Sequence, residues 1–287
     1  MRWEGGRRSD NVEDYRGGGG NRFGGGGLKL GIGGTLLALV AAYFFGVDPR
    51  VLLGLAQSGG ADSGYEQEQP PQTGAPSDQV GQFVAVVLAD TEDTWGAIFQ
   101  ASGRQYVPPK LDLFTSEIRT GCGYADSRVG PFYCPADSKV YLDPDFFNEL
   151  RTRFQAPGEF AEAYVIAHEV GHHVQNLLGT ESKVRAAQER ASEVERNQLQ
   201  VGMELQADCF AGVWAHNADR ARHIIEQGDV EAALNAASAV GDDTIQRRTQ
   251  GHVVPDSFTH GTAKQRMTWF QRGLDSGSVG SCDTFSR

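Results

Sequence analysis

Residues 161–178 read AEAYVIAHEVGHHVQNLL, with apolar side chains over much of the segment. Residues four apart on an α-helix lie on one face, so His168 and His172 can direct both imidazole rings at one metal ion. Glu169 is rotated about a quarter turn from them and can reach a water molecule at that ion. A helix that is apolar over most of its surface is normally buried. The segment therefore predicts a buried helix with a metal site, and histidines bonded to backbone carbonyls are the alternative.

A third ligand must come from elsewhere, because catalytic zinc typically takes three protein ligands and leaves a position for water. Gln175 and Leu178 stand where the metzincin pattern has a glycine and a third histidine, which excludes that class. Glu204 precedes an apolar helical run and is the predicted third ligand, with a solvated acid at a helix start as the alternative. Asp208 lies one turn further and can accept the free N–H of His168, which would fix the orientation of the ring.

The composition is that of a globular protein of 287 residues with a net charge of −11, which argues against nucleic acid as a partner. Four cysteines without a C-x-x-C pair favour two disulfides in an oxidising compartment. Cys122 and Cys134 are the first expected pair, since a hairpin can bridge their spacing. Cys209 and Cys282 could pair and tie the tail to the helix of Glu204.

The N-terminal part differs from the rest in composition. Residues 1–29 are rich in glycine and arginine and are predicted to be a disordered tail on the cytoplasmic side. Residues 30–47 carry no charge and are just long enough to span a bilayer, so a transmembrane anchor is expected. A cleaved signal peptide and a buried helix are the alternatives. Residues 48–79 are expected to be a flexible linker.

The folded domain is expected over residues 80–287, with an α+β fold that is mainly helical. Lys139 to Leu142 and the run after Pro109 have strand character. The predicted helices cover residues 80–100, 145–154, 161–178, 180–200, 201–217, two short stretches within 218–246, and 261–274.

Several motifs together resemble one family. HEVGHH, ELQAD, FYCPADSKVYLD, THGTAKQR and the opening MRWEGGRRSDNVED are similar to the bacterial "putative neutral zinc metallopeptidase" family (YpfJ-like proteins) over nearly the whole chain. The resemblance implies a gluzincin-type, zincin-like domain in which two helices hold one zinc ion beneath a small sheet. With the expected anchor, it implies a single-pass protein of the bacterial inner membrane whose C-terminal domain is periplasmic.

The expected function is that of a membrane-anchored zinc peptidase acting on peptides or proteins. Zinc would activate a water molecule, and Glu169 would act as the general base that passes its proton to the leaving amine. His260 is the first candidate to stabilise the oxyanion, ahead of Tyr164 and Tyr141. Residues 140–142 are expected to be the edge strand for an extended substrate, or a core strand. A non-catalytic, zinc-stabilised binding or regulatory module tethered to the membrane is the alternative function.

Overall fold

The computed structural model of the protein describes residues 1–16, 72–73 and 76–286. Within these residues the chain is mainly helical with two small sheets, which confirms the predicted α+β class. The strands are β1 (Val12–Asp14), β2 (Gln72–Thr73), β3 (Lys110–Leu113), β4 (Glu117–Thr120), β5 (Gly123–Asp126), β6 (Phe132–Cys134) and β7 (Lys139–Leu142). The helices are α1 (Gln79–Ala101), α2 (Asp145–Thr152), α3 (Glu159–Leu178), α4 (Thr180–Gln188), α5 (Glu193–Arg222), α6 (Asp229–Ala239), α7 (Asp242–Gln250) and α8 (Ala263–Ser276).

The larger sheet has the strand order β2-β1-β3-β7-β6. Strands β1, β3 and β7 are parallel, and the two outer strands run antiparallel to their neighbours. Successive side chains of a strand point to opposite faces, so Leu111 and Val140 enter the main core while Asp112 and Tyr141 point to the other face. The β4–β5 hairpin packs a smaller apolar cluster around Tyr141 on that second face.

Helices α3 and α5 form the centre of the helical layer, and α8 crosses α5 at very close range. A Cβ atom on Gly273 would lie 2.0 Å from the carbonyl oxygen of Cys209, and one on Gly212 would lie 2.1 Å from that of Phe270. Only glycine permits this approach of two helix backbones. The Cys209–Cys282 disulfide joins α5 to the segment after α8, and Cys122–Cys134 links the hairpin to β6, so both expected pairs are confirmed.

One predicted helix boundary is wrong. The sequence predicts one helix over 180–200 and another over 201–217, but the first ends as α4 at Gln188 and α5 is a single helix that begins at Glu193. A capping box starts it, in which Ser192 and Glu195 exchange side-chain-to-backbone hydrogen bonds. Glu204 consequently lies in the middle of a long helix, where it is 8% exposed, and it is not a solvated acid at a helix start.

The structure also differs from the expected disordered tail at residues 1–16. The β1 strand pairs with β3, Val12 is fully buried, and the N–H of Ser9 donates to the carbonyl of Ala85. Trp3 packs edge-on against Phe83 of α1. These partners are far away in sequence, so composition could not indicate them. Residues 17–29 and most of the expected linker 48–79 lie outside the described residues, and α1 begins at Gln79.

The prediction of a single-pass inner-membrane protein with a periplasmic C-terminal domain is wrong. No helix in the described part of the chain is long and apolar enough to cross a membrane. The proposed span, residues 30–47, lies outside the described residues. A single crossing there would place residues 1–16 and 76–286 on opposite sides of a bilayer, yet β1 and β3 pair in one sheet. Hydropathy shows that a segment is apolar and long enough to span a bilayer. It cannot show that the parts of the chain before and after the segment pair in one sheet.

Candidate metal centre

Three side chains predicted to bind a metal meet between α3 and α5. The Nε2 atoms of His168 and His172 are 3.2 Å apart, and Glu204 places Oε2 3.2 Å from the first ring and Oε1 3.6 Å from the second. Tetrahedral zinc with bonds of roughly 2.0–2.1 Å separates neighbouring donor atoms by about 3.3 Å. The three donors, all within 4.8 Å of one another, therefore have the spacing of a zinc ligand set.

Close contact of the two helices makes this meeting possible. A Cβ atom on Gly171 would lie 3.0 Å from the carbonyl oxygen of Ala207, tighter than ordinary side-chain contacts. The glycine of the HEVGH motif thus lets α3 approach the turn of α5 that carries Glu204 and Asp208. Helix α3 itself ends at Leu178, where Gly179 takes the left-handed conformation that closes many helices.

His168 makes the predicted hydrogen bond with Asp208. Its Nδ1 lies 2.9 Å from Oδ1 of Asp208, which is fully buried. The same carboxylate accepts from the hydroxyl of Tyr164 at 2.5 Å and from two nitrogens of Arg266, each at 2.8 Å. Since a carboxylate in this setting only accepts, the ring carries its proton on Nδ1 and turns Nε2 towards Glu204.

The ring of His172 is also held at its Nδ1 atom, but its partner is the neutral side chain of Gln175. Its Nδ1 lies 2.8 Å from Oε1 of Gln175, whose Nε2 donates to the carbonyl of Met203 at 2.7 Å. With a proton on Nδ1, the neutral ring presents the Nε2 lone pair to the lone pair of His168 and to the carboxylate of Glu204. Three converging lone pairs repel one another unless a cation lies between them. The donor chemistry of the site therefore fits a zinc ion.

The charges of the ion-free site follow from its burial. Burial opposes protonation of His168, but Asp208 and Glu204 outweigh it and raise the pKa of His168 to about 9. Burial also opposes ionisation of Glu204, but His172 and His168 lower the pKa of this carboxyl well below its usual value. A proton consequently occupies the site in the absence of a metal, and a binding cation displaces it.

Glu169 follows the first ligand directly and is 8% exposed. Burial raises the pKa of its carboxyl, an effect that the neighbouring rings of His168 and His172 oppose. A raised pKa suits a group that accepts a proton and then returns it, because general bases work best when their pKa is near the operating pH.

His260 belongs to a loop that is fixed by one buried carboxylate. Oδ2 of Asp242 accepts from the backbone N–H groups of Thr259, His260 and Gly261 at 2.8, 2.6 and 3.0 Å. Nδ1 of His260 lies 3.2 Å from the other oxygen of Asp242. The histidine is thereby held through both its backbone and its ring.

This loop lies against α5 beside the ligand cluster. A Cβ atom on Gly261 would be 3.2 Å from the side chain of Val201 and 3.3 Å from that of Leu205, the residue after Glu204. His260 is also close enough to Glu204 to lower the pKa of that carboxyl. The structure therefore brings His260 to the neighbourhood of the cluster, as the order of the elements suggested.

The other candidates for oxyanion stabilisation and substrate pairing do not reach the cluster. The hydroxyl of Tyr164 donates to Asp208, and that of Tyr141 donates to Asp137 at 2.7 Å beneath the β4–β5 hairpin. Residues 140–142 form an inner strand, because β7 lies between β3 and β6. The edge strand next to β7 is β6, whose Tyr133 accepts from Asn176 of α3 at 2.9 Å.

Three residues at the site were missed in the sequence. Gln175 stands one helical turn after His172, a spacing that could have indicated its contact with that ring. Arg266 belongs to the THGTAKQR motif and is 4% exposed, but a lone arginine in a polar helix start has no distinguishing pattern. Asp242 has no local signal in the sequence, because its role depends on a loop that follows it by seventeen residues or more.

Comparisons with known proteins agree with the geometry of the site. The profile of the family described as "Putative neutral zinc metallopeptidase" matches residues 1–285. "Uncharacterized protein YpfJ" of Escherichia coli K12 is 50% identical over 293 aligned positions, covering 100% of this chain and 99% of that protein. "Uncharacterized protein Rv2575" of Mycobacterium tuberculosis H37Rv is 41% identical over 258 positions, or 85% of each chain. No solved structure matches. The chain belongs to the "putative neutral zinc metallopeptidase" family.

Proposed function

We propose that the protein is a zinc-dependent peptidase of the gluzincin type, in which His168, His172 and Glu204 hold one zinc ion. The observation that carries the proposal is the convergence of three lone-pair donors at distances of 3.2–3.6 Å on two facing helices. The family assignment supports the zinc and the peptidase class. The pairing of two central helices with a small mixed sheet supports a zincin-like architecture.

Glu169 is the general base in this proposal. Zinc at the site would polarise a peptide carbonyl and lower the pKa of a bound water molecule towards neutrality. The carboxylate of Glu169 takes a proton from the attacking water and delivers it to the leaving amine. Its position next to His168 and its raised pKa support this assignment over a purely structural site, which would not need the residue.

His260 is the proposed donor to the oxygen that gains negative charge during the attack. The carboxylate of Asp242 lies 3.2 Å from Nδ1 and fixes the ring, so that Nε2 can face the substrate and donate to it. The contacts of Gly261 with Val201 and Leu205 support a position of the His260 loop beside the middle of α5, next to Glu204. Asp242 is a positioning residue in this scheme, because it acts only through the loop and the ring.

Substitution of Glu169 by glutamine in the full chain tests the proposal. The variant should retain about one zinc per chain, while its hydrolysis of an unfolded protein substrate should fall by roughly 10²–10⁴-fold. Glu162→Gln is the matched control, since Glu162 is a buried glutamate on the same helix that pairs with Arg151. Wild-type protein that binds zinc but cleaves nothing, with Glu169→Gln indistinguishable from it, would favour the non-catalytic binding module instead.

A further inference from the structure

The contacts of Gln175 continue beyond the metal site. Gln175 is fully buried, and its Nε2 donates to the Oε1 of Gln206 at 3.2 Å as well as to the carbonyl of Met203. Gln206 in turn donates from its Nε2 to the carbonyl oxygen of Cys282 at 2.9 Å. A continuous series of hydrogen bonds therefore connects His172 with the C-terminal segment.

The direction of every bond in this series is determined by its backbone ends. Carbonyl oxygens only accept, so the amide nitrogens must face Met203 and Cys282. The oxygen of Gln206 then faces Gln175, and the oxygen of Gln175 must face His172. Nδ1 of His172 is consequently the nitrogen that carries a proton, and Nε2 is the nitrogen that is available to a metal.

The segment that ends the series is attached to α5 at three points. Cys282 forms a disulfide with Cys209, which lies one turn after Gln206. The hydroxyl of Thr284 donates to the carbonyl of Gly202 at 2.7 Å, and a Cβ atom on Gly202 would lie 2.7 Å from the ring of Phe285. Residues 282–285 therefore lie along the same stretch of α5 that presents Glu204.

We propose that the carbonyl of Cys282, held by the Cys209–Cys282 disulfide, sets the orientation and protonated nitrogen of His172 through Gln206 and Gln175. The inference rests on the proposed zinc site and adds a positioning role for the C-terminal segment. The two histidines are thus oriented differently: His168 by an ionic network of Asp208 and Arg266, and His172 by neutral amides that end at a disulfide-linked carbonyl.

The first test removes Gln206 from the series without touching the ring. In the full chain, Gln206→Leu should weaken zinc binding by about 10- to 100-fold in competition with a chromogenic chelator, the range found when outer partners of metal ligands are removed. Gln271→Leu is the control, because Gln271 lies on α8 and donates from its Nε2 to the exposed side chain of Asp275 at 2.7 Å. Its zinc affinity should stay within twofold of the wild type.

The second test removes the disulfide. Cys209→Ala/Cys282→Ala should weaken zinc binding in the same direction, whereas Cys122→Ala/Cys134→Ala, which removes the other disulfide, should leave it within twofold. Should Gln206→Leu fail to fold, Gln206→Met, which preserves the length of the side chain, replaces it. Gln206 variants that fold and bind zinc as tightly as the wild type would overturn the proposal.

A third measurement separates positioning from general stability. In protein labelled with ¹⁵N-histidine, the Nδ1–H proton of His172 should exchange slowly with solvent in the wild type and at least about tenfold faster in Gln206→Leu. The measurement is made on the ion-free protein as well. If the wild type binds no zinc, the proposed function fails, while equal exchange in the two ion-free proteins would reject the positioning role by itself.

Discussion

Arg266 holds Asp208 with two parallel hydrogen bonds, from Nε to Oδ2 and from Nη2 to Oδ1, each 2.8 Å long. Both side chains are almost completely buried, and this bidentate geometry is specific to arginine. Asp208 also orients the ring of His168. Helix α8 therefore contributes to the metal site through Arg266, which acts on the metal-binding ring by way of Asp208.

Replacing Arg266 by methionine should therefore lower both stability and metal affinity. Removing one partner of a buried ion pair costs about 3–5 kcal/mol, because the other charge remains buried. Urea denaturation of the ion-free protein measures the loss. Arg272→Met on the exposed side of the same helix is the control and should change the free energy of unfolding by less than about 1 kcal/mol. Equal effects of the two substitutions would contradict the role of Arg266.

The stability of the ion-free protein should fall as the pH rises from 6.5 to 9. Although burial opposes its protonation, Asp208 and Glu204 raise the pKa of His168 to about 9 from the usual 6.5. A group that binds its proton more tightly in the folded state stabilises that state fully below pH 6.5, and this contribution disappears as the pH passes 9. The expected loss is about 3 kcal/mol. It is measured as the urea midpoint against pH, and it should be much smaller with zinc bound, because zinc displaces the proton.

Replacing His260 by phenylalanine should lower kcat by about 10²–10³-fold while zinc content stays unchanged, as found when an oxyanion donor is removed. Steady-state hydrolysis of a peptide, with zinc measured in the same sample, checks the prediction. His252→Phe is the control, since His252 lies in the same loop region, is exposed, and bonds to the carbonyl of Gln250. A change in zinc content with His260→Phe would instead indicate a role in the metal site.

Zinc should raise the melting temperature of the wild-type protein but not that of Glu204→Gln. A ligand present at a hundredfold excess over its dissociation constant stabilises the folded state by about 2.7 kcal/mol. Thermal unfolding followed with and without a chelator measures this difference. Equal zinc stabilisation of Glu204→Gln would show that Glu204 is not a ligand.

Substituting Val12 by alanine should destabilise the protein by about 2 kcal/mol, because Val12 is fully buried where β1 pairs with β3. Denaturant unfolding measures the change. Val80→Ala, at a position that is 39% exposed, should alter stability by less than about 0.5 kcal/mol. A disordered N-terminal tail would predict no effect for Val12→Ala.

The residues that the sequence predicted best are those whose partners lie one or two helical turns away. The spacing of His168 and His172 and that of Glu204 and Asp208 each indicated a shared helix face, and the structure brings both pairs to one place. The sequence also predicted that α3 and α5 face each other, because two histidines on α3 need a third zinc ligand from another part of the chain.

What the sequence could not show depends on contacts between distant segments. Val12 sits in a polar, glycine-rich region, and its partner Leu111 is almost a hundred residues away. Arg266 becomes recognisable only when α8 crosses α5, which the glycines at 212 and 273 permit. Local hydropathy alone predicts a membrane topology for the apolar segment 30–47, because it does not show that the strands on either side of the segment are neighbours.

The pairing of β1 with β2 has a further consequence for the segment between them. Asp14 lies opposite Gln72, so the chain leaves and re-enters the sheet at adjacent positions. A connection between two points this close has no distance to bridge, and the entropy of closing a loop grows by only about 0.6 kcal/mol for each doubling of its length. We therefore expect insertions and deletions in residues 17–71 to cost the sheet little stability.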